Sequence, residues 1–306
     1  MTLSLDDRRT LDALEVRLRV LLPEEYQDSS EDVEPKSMGS AGLKYGFDGK
    51  VAWDEMWGSF CDLAMAGGPP HKGTLLEPAS RAVVAAQATR YGKVLREVRR
   101  GIMLVTGLHV RESPTPGWIR VTCFSRAMAG WLLRAIVMEN VAARATSRAL
   151  DLPLGPDYRL EKEMKNVITV IAKTCHYWLG HTPCAQQRAI ADLLLRMEAE
   201  SPLIVPGAVN KLAPRSSAPD ALSLAIERGT GLRTAREQHF GWLGVECPTA
   251  KAAIWMMRMM VASNVLSRRE GTVLFVPAND AADPGGEIVT RLLARVHHFA
   301  AARSVL

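Results

Sequence analysis

A mixed α/β (α+β) chain carrying the same folding unit twice is what the sequence predicts, on three observations. Residues 105–153 align without a gap on residues 229–277 at a constant offset of 124, with about a third of positions identical. Short β-branched runs alternate with helical periodicity in the same order in both stretches. An offset of 124 far exceeds the roughly 20 to 50 residues of a solenoid repeat, so each copy must be a small domain or half-domain. The shared positions include Gly117/Gly241, Trp118/Trp242, Cys123/Cys247, Trp131/Trp255, Arg134/Arg258, Asn140/Asn264 and Arg144/Arg268.

The elements of the first copy follow in order. A strand is expected at 73–77, then a helix at 79–99 with apolar residues such as Val83, Val94 and Val98 at helical spacing. Strands at 102–110 and 118–123 flank the turn Ser113-Pro114-Thr115-Pro116-Gly117 and form a hairpin. Ser125 can cap a long helix reaching about residue 145, a strand at 148–152 stops at Pro153, and a last helix covers 161–179. The second copy repeats this from Leu203, Ala221, Leu232, Trp242, Ala250, Thr272 and Glu287. The expected architecture is a tandem duplication of a ferredoxin-like βαββαβ unit plus a trailing helix, behind an N-terminal helical arm. The domain boundaries read 1–72 for the arm with its acidic linker, 73–200 for the first repeat and 201–306 for the second. In the arm, residues 3–22 form an amphipathic helix. Residues 51–65 form another, with Trp53, Trp57 and Phe60 on one face.

Composition narrows the function classes. A hydrophobic share of 47% and a charged share of 23% are ordinary for a folded protein. No uninterrupted apolar stretch approaches the roughly 20 residues that span a bilayer, and Asp6 and Asp7 interrupt any signal-peptide core. A cytoplasmic protein without membrane contact is expected. Five cysteines, an odd number with no C-x-x-C pair, argue against a disulfide framework. A net charge of +5 favours an anionic small molecule. Nucleic acid is not an expected partner, because Val105, Ile119 and Val121 are aliphatic where an RNA-binding sheet of this type needs rings.

Candidate chemistry lies in four places. Arg134 and Arg258 sit mid-face on equivalent helices. Together with Asn140 and Asn264 they could grip a carboxylate or phosphate in a cleft between the repeats, or pair with a neighbouring acid such as Glu139. Lys165, Thr169, Lys173 and His176 line one side of the 161–179 helix, which makes Lys173 and His176 acid–base candidates. The loop Gly67-Gly68-Pro69-Pro70-His71-Lys72 is present in the first copy alone. His71 is a third catalytic candidate and Lys72 a ligand-binding one. Cys123 and Cys247 end strands before helix N-termini, where packing is the expected role. A metal site is not expected: His176 and His181 have knuckle spacing, but Cys175 points away from His181 on a helix. No cofactor is identified.

The leading functional expectation is therefore a small-molecule enzyme or cofactor-handling protein with an anionic ligand. The alternative is a non-catalytic assembly subunit. It would use a Met/Trp-rich helical surface, including Met256, Met257, Met259 and Met260, to form a homo-oligomer or meet a protein partner.

Overall fold

The computed structural model describes residues 3–24, 27, 42–55, 74–207, 218–235 and 239–306. It is a mixed α+β structure that divides into two compact units, Lys36–Gln187 and Met1–Pro35 with Arg188–Leu306. Helix α1, Leu5–Leu21, thus groups with the C-terminal residues and not with the residues that follow it. Ser4 caps it by accepting from the Asp7 amide, and Leu11, Leu14, Leu18 and Leu21 form its buried stripe.

In the unit Lys36–Gln187, Ser80 caps the short α2, Arg81–Ala86, and α3 runs Ala88–Thr106. Strands β1 (His109–Glu112) and β2 (Trp118–Thr122) form a hairpin, and Ser125 caps α4, Arg126–Met138. A second hairpin, β3 (Arg144–Thr146) and β4 (Ala149–Pro153), completes an antiparallel sheet of order β1-β2-β4-β3. A π-helical turn, Leu160–Met164, leads into α5, Lys165–Gly180. Helix α3 packs on α5, and α4 packs on α5 and the sheet. Val98, Ile102, Ile119, Leu132, Ile136 and Leu150 form the fully buried centre.

Three expectations need correction here. The residues expected as a strand at 102–110 are mostly helix: the apolar run Ile102 to Val105 forms the last turn of α3. The turn is closed by Gly107 at φ 67, whose amide donates to the Met103 carbonyl. The first strand is reduced to one parallel bridge, Leu76 to Val141, on a residue pair outside the sheet. The long helix stops at Met138 because Asn140 turns left-handed at φ 59. The sheet is therefore built from two antiparallel hairpins, unlike a split βαβ sheet, in which the first strand lies parallel in the interior.

The other unit contains most of α6 (Cys184–Glu200), α7 (Ala218–Thr230), β5 (Trp242–Glu246), α8 (Ala250–Ala262), β6 (Arg268–Glu270), β7 (Val273–Pro277) and α9 (Glu287–Ala302). Its sheet has the order β5-β7-β6, with a single antiparallel bridge from Thr234 to Val245. Helix α9 packs on α7 and α8, and α1 packs on α8.

Local geometry recurs at the offset of 124. Thr106 and Thr230 each donate to a carbonyl one turn back and accept from Leu108 and Leu232. Gly117 (φ 84) and Gly241 (φ 72), just before β2 and β5, each accept from the amide that follows the paired strand, Leu154 after β4 and Ala278 after β7. A Cβ at Gly117 would lie 2.2 Å from the Ala79 carbonyl oxygen, and one at Gly241 2.8 Å from that of Gly207, so neither site admits a side chain.

Candidate functional site

Helix α5 is apolar almost all round, with Val167, Ile168, Val170, Ile171, Ala172 and Cys175 buried. Its polar stripe is buried as well: Lys165, Thr169 and Lys173 are 9%, 9% and 3% exposed. Lys173 Nζ donates to Glu139 Oε1 at 2.7 Å, and both side chains are buried. Glu139 arrives there as the C-cap of α4, its amide tied to the Ile136 and Val137 carbonyls. Its second oxygen, Oε2, is buried and has no hydrogen-bond partner among the described residues. Taking both charges out of water is costly, and removing one partner alone costs about 3–5 kcal/mol.

One turn further, His176 Nε2 lies 2.9 Å from His181 Nε2. A contact between two ring nitrogens works only when one carries the proton and the other offers its lone pair. One ring therefore donates and the other accepts. His181 is the C-cap of α5, and the Tyr177 ring meets it edge-on at 5.6 Å. Thr182 Oγ1 donates to the Tyr177 carbonyl, and the Gln187 amide donates to the Trp178 and Thr182 carbonyls, which fixes the turn holding His181. Trp131 of α4 tilts against Trp178 at 5.6 Å, locking the two helices that carry Glu139 and Lys173. Burial also pushes the Lys165 ammonium below its ordinary pKa.

The remaining expected site residues are distributed as follows. His71 and Lys72, with Trp57 and Phe60, lie outside the described residues. Arg134 is buried on α4 and donates from Nη1 to the Gly130 carbonyl at 2.8 Å. Glu139, one of its expected acid partners, accepts from Lys173. Arg258 is equally buried on α8. Asn140 and Asn264 occupy left-handed turns, and Asn264 Nδ2 also donates to the Ser201 carbonyl at 2.7 Å. Lys173 and His176 are thus the expected catalytic residues that stand side by side. In the other unit the matching cation, Arg295, is half-exposed and pairs with Asp6 and Asp7 of α1.

The Met/Trp-rich helical surface of the assembly alternative is not a surface. Met256, Met257, Met259 and Met260 are 0%, 6%, 1% and 0% exposed, and Trp131 and Trp255 are buried too. The reason is that α8 packs against α1, β7 and α9 and is buried from Ala252 to Ala262, so it has no outward apolar face. Cys123 and Cys247 are buried, and burial pushes both thiols up to about 12, which removes the nucleophilic option.

Sequence reasoning passed over a second polar cluster. Asp151 is 2% exposed on β4 and accepts from Arg120 at 2.7 Å, Arg144 at 3.0 Å and Ser113 at 3.1 Å. Burial alone would raise its carboxyl, but the two guanidiniums outweigh burial and hold it below the usual range. Arg144 also lies 4.5 Å over the Trp118 ring. In the other unit Arg268 lies 5.2 Å over Trp242 and 4.0 Å over Phe275, and it pairs with Glu270. The signal was present as Trp118/Trp242 and Arg144/Arg268, two shared pairs at one offset.

Among the described residues no helix is long and apolar enough to cross a membrane, and no group of three or more His, Cys, Asp or Glu residues could hold a metal. No protein-family model matches the chain, and no curated protein or solved structure is significantly similar to it.

Proposed function

We propose that this chain is a small-molecule enzyme acting on an anionic substrate, built on a duplicated α+β unit in which one copy holds the acid–base groups. The observation that carries the reading is that Lys173 and His176, one turn apart on a largely apolar helix, each belong to a hydrogen-bonded titratable pair, with Glu139 and His181. The buried Lys173–Glu139 pair is of a kind that is expensive to bury and contributes little net stability, which makes the cluster a functional candidate on physical grounds. The histidine pair can accept a proton from a substrate C–H or O–H at one ring and return it to the product. The Lys173 ammonium can stabilise the negative charge that develops in between.

The duplication is supported by the ungapped match at offset 124 and by the recurrence of caps, left-handed residues and bridges in each unit. On this reading the copies have diverged. Lys173, His176 and Glu139 of the first face Arg295, His298 and Ser263 at the equivalent positions of the second. Arg295 is engaged by α1, so the second copy has become a scaffold.

The test is incubation of the purified protein with a pool of small cellular metabolites, followed by untargeted mass spectrometry. Wild type should deplete an anionic species that His176→Asn and the Lys173→Met/Glu139→Leu double variant leave intact, while both variants keep a cooperative thermal transition. Equal depletion by wild type and variants, or none at all, rejects the reading.

A further inference from the structure

The unit Lys36–Gln187 has a second feature that the acid–base cluster does not use. The N-terminal half of α3, the π turn Leu160–Met164 and the small bridge of Tyr45 with Val51 enclose a groove of about 410 Å³. That volume lies within the range of small-molecule sites, roughly 300 to 1,000 Å³. Its floor is apolar, from Val51, Val94, Leu160 and Met164. Its walls are two tyrosines. Tyr158 is 8% exposed and held by its hydroxyl, which donates to the Glu77 carbonyl at 2.8 Å; Tyr45 is 56% exposed.

Three cations stand on the rim: Lys50, Arg90 and Lys93. Lys50 pairs with the exposed carboxylate of Asp48 at 3.1 Å and Arg90 with that of Asp157 at 3.2 Å, and such surface pairs exchange at little cost. Among the described residues Glu97 is the carboxylate that lines the groove, and it is already neutralised. Arg100 binds it at 2.6 Å and the Trp53 ring nitrogen at 2.8 Å. The lining therefore offers positive charge at its mouth and apolar and aromatic surface beneath. The π-helical turn supplies Leu160 and Met164, and such turns concentrate at functional sites.

We infer that this groove is a binding site for a small amphiphilic anion, a molecule with a flat apolar body and a phosphate or carboxylate head. The body lies between Tyr45 and Tyr158 on the aliphatic floor, and the head meets Lys93 and Arg90. Met164 and Lys173 are nine residues apart on one helical run, about 13 Å along the axis. The groove is thus distinct from the acid–base cluster and stands or falls independently of it.

The test is calorimetric titration of the full chain with 1-naphthyl phosphate, beside the neutral 1-naphthalenemethanol. Saturable one-to-one binding of the phosphate is expected, at least about tenfold tighter than the alcohol and weakening with added salt. Lys93→Glu should weaken it by about tenfold or more, since a repulsive charge replaces an attractive one. Tyr45→Ala should weaken it by about fivefold through lost ring contact. Both residues are exposed, so an unchanged melting temperature confirms that the fold is kept. Lys93→Gln, which removes the charge without adding a new one, should fall between wild type and Lys93→Glu. Absent saturable heat, equal binding of the alcohol, or indifference to Lys93→Glu overturns the assignment.

Discussion

Asn140 and Asn264, 124 positions apart, share one backbone state and one job. Each lies in the left-handed region, at φ 59 and φ 62, just beyond the end of a helix. Each passes its carbonyl to the amide of a lone bridging residue, Leu76 and Ile204, at 2.8 and 3.0 Å. The left-handed conformation costs an ordinary side chain about 1–2 kcal/mol, and glycine escapes it. Comparing Gly with Ala at each position removes the same amide and isolates that backbone cost. Asn→Gly should be more stable than Asn→Ala by about 1 kcal/mol at both positions in urea unfolding. A gap at one position only would mean that the two turns are not the same construction.

The Lys173–Glu139 pair makes a double-mutant prediction. Lys173→Met strands a buried carboxylate and Glu139→Gln strands a buried ammonium. Each should cost about 3–5 kcal/mol. The Lys173→Met/Glu139→Leu double variant should recover much of that loss in denaturant melts. Additive losses would show that the two groups are not coupled in solution.

Part of the acid sensitivity should be traceable to Glu163, beside the depressed carboxyls of Asp151 and Glu97. The Arg159 guanidinium, followed by the Arg159 amide, draws the Glu163 carboxyl down from 4.5 to about 2 against the effect of burial. A carboxyl depressed on folding stabilises the native state above its unfolded pKa and loses that contribution as pH falls through the folded one. The loss therefore falls between about pH 4.5 and pH 2. Glu163→Gln should flatten the melting-temperature profile in that window and leave its slope near neutral pH unchanged.

Thiol reactivity should separate the described cysteines. Cys123, Cys175 and Cys247 are buried, and burial raises all three thiols. Cys184 is exposed at the start of α6. Peptide mapping after brief iodoacetamide treatment should find Cys184 alkylated well before the other three. Early labelling of Cys123 or Cys247 would mean that their strand ends open in the native state.

How much of this was legible depended on whether the signal was local. The cap at Ser125 and the helix start behind it, the strand Trp118–Thr122 and the stop at Pro153 are written in neighbouring residues, and they fold as read. The stretch 102–110 misled because Ile102 to Val105 is equally compatible with a buried strand and a buried helix end. Gly107, which closes the helix, was the local cue that decides it. Sheet order was out of reach, since β2 pairs with β4 across an intervening helix and hairpin strand. The stripe of Lys173 and His176 was visible as spacing. Glu139, 34 residues away, could be joined to Lys173 only by the packing of α4 on α5.

The grouping of α1 with the far end of the sequence has a consequence for biosynthesis. The unit Lys36–Gln187 is continuous, so all its partners have been made once Gln187 has left the ribosome. Helix α1 must wait longer: its leucine stripe rests on α8, and its acids Asp6, Asp7 and Glu15 are met by Arg295 and Arg303. Helix α1 is translated well before the residues on which it rests. Until α8 has been made, its apolar face is open to whatever holds nascent chains.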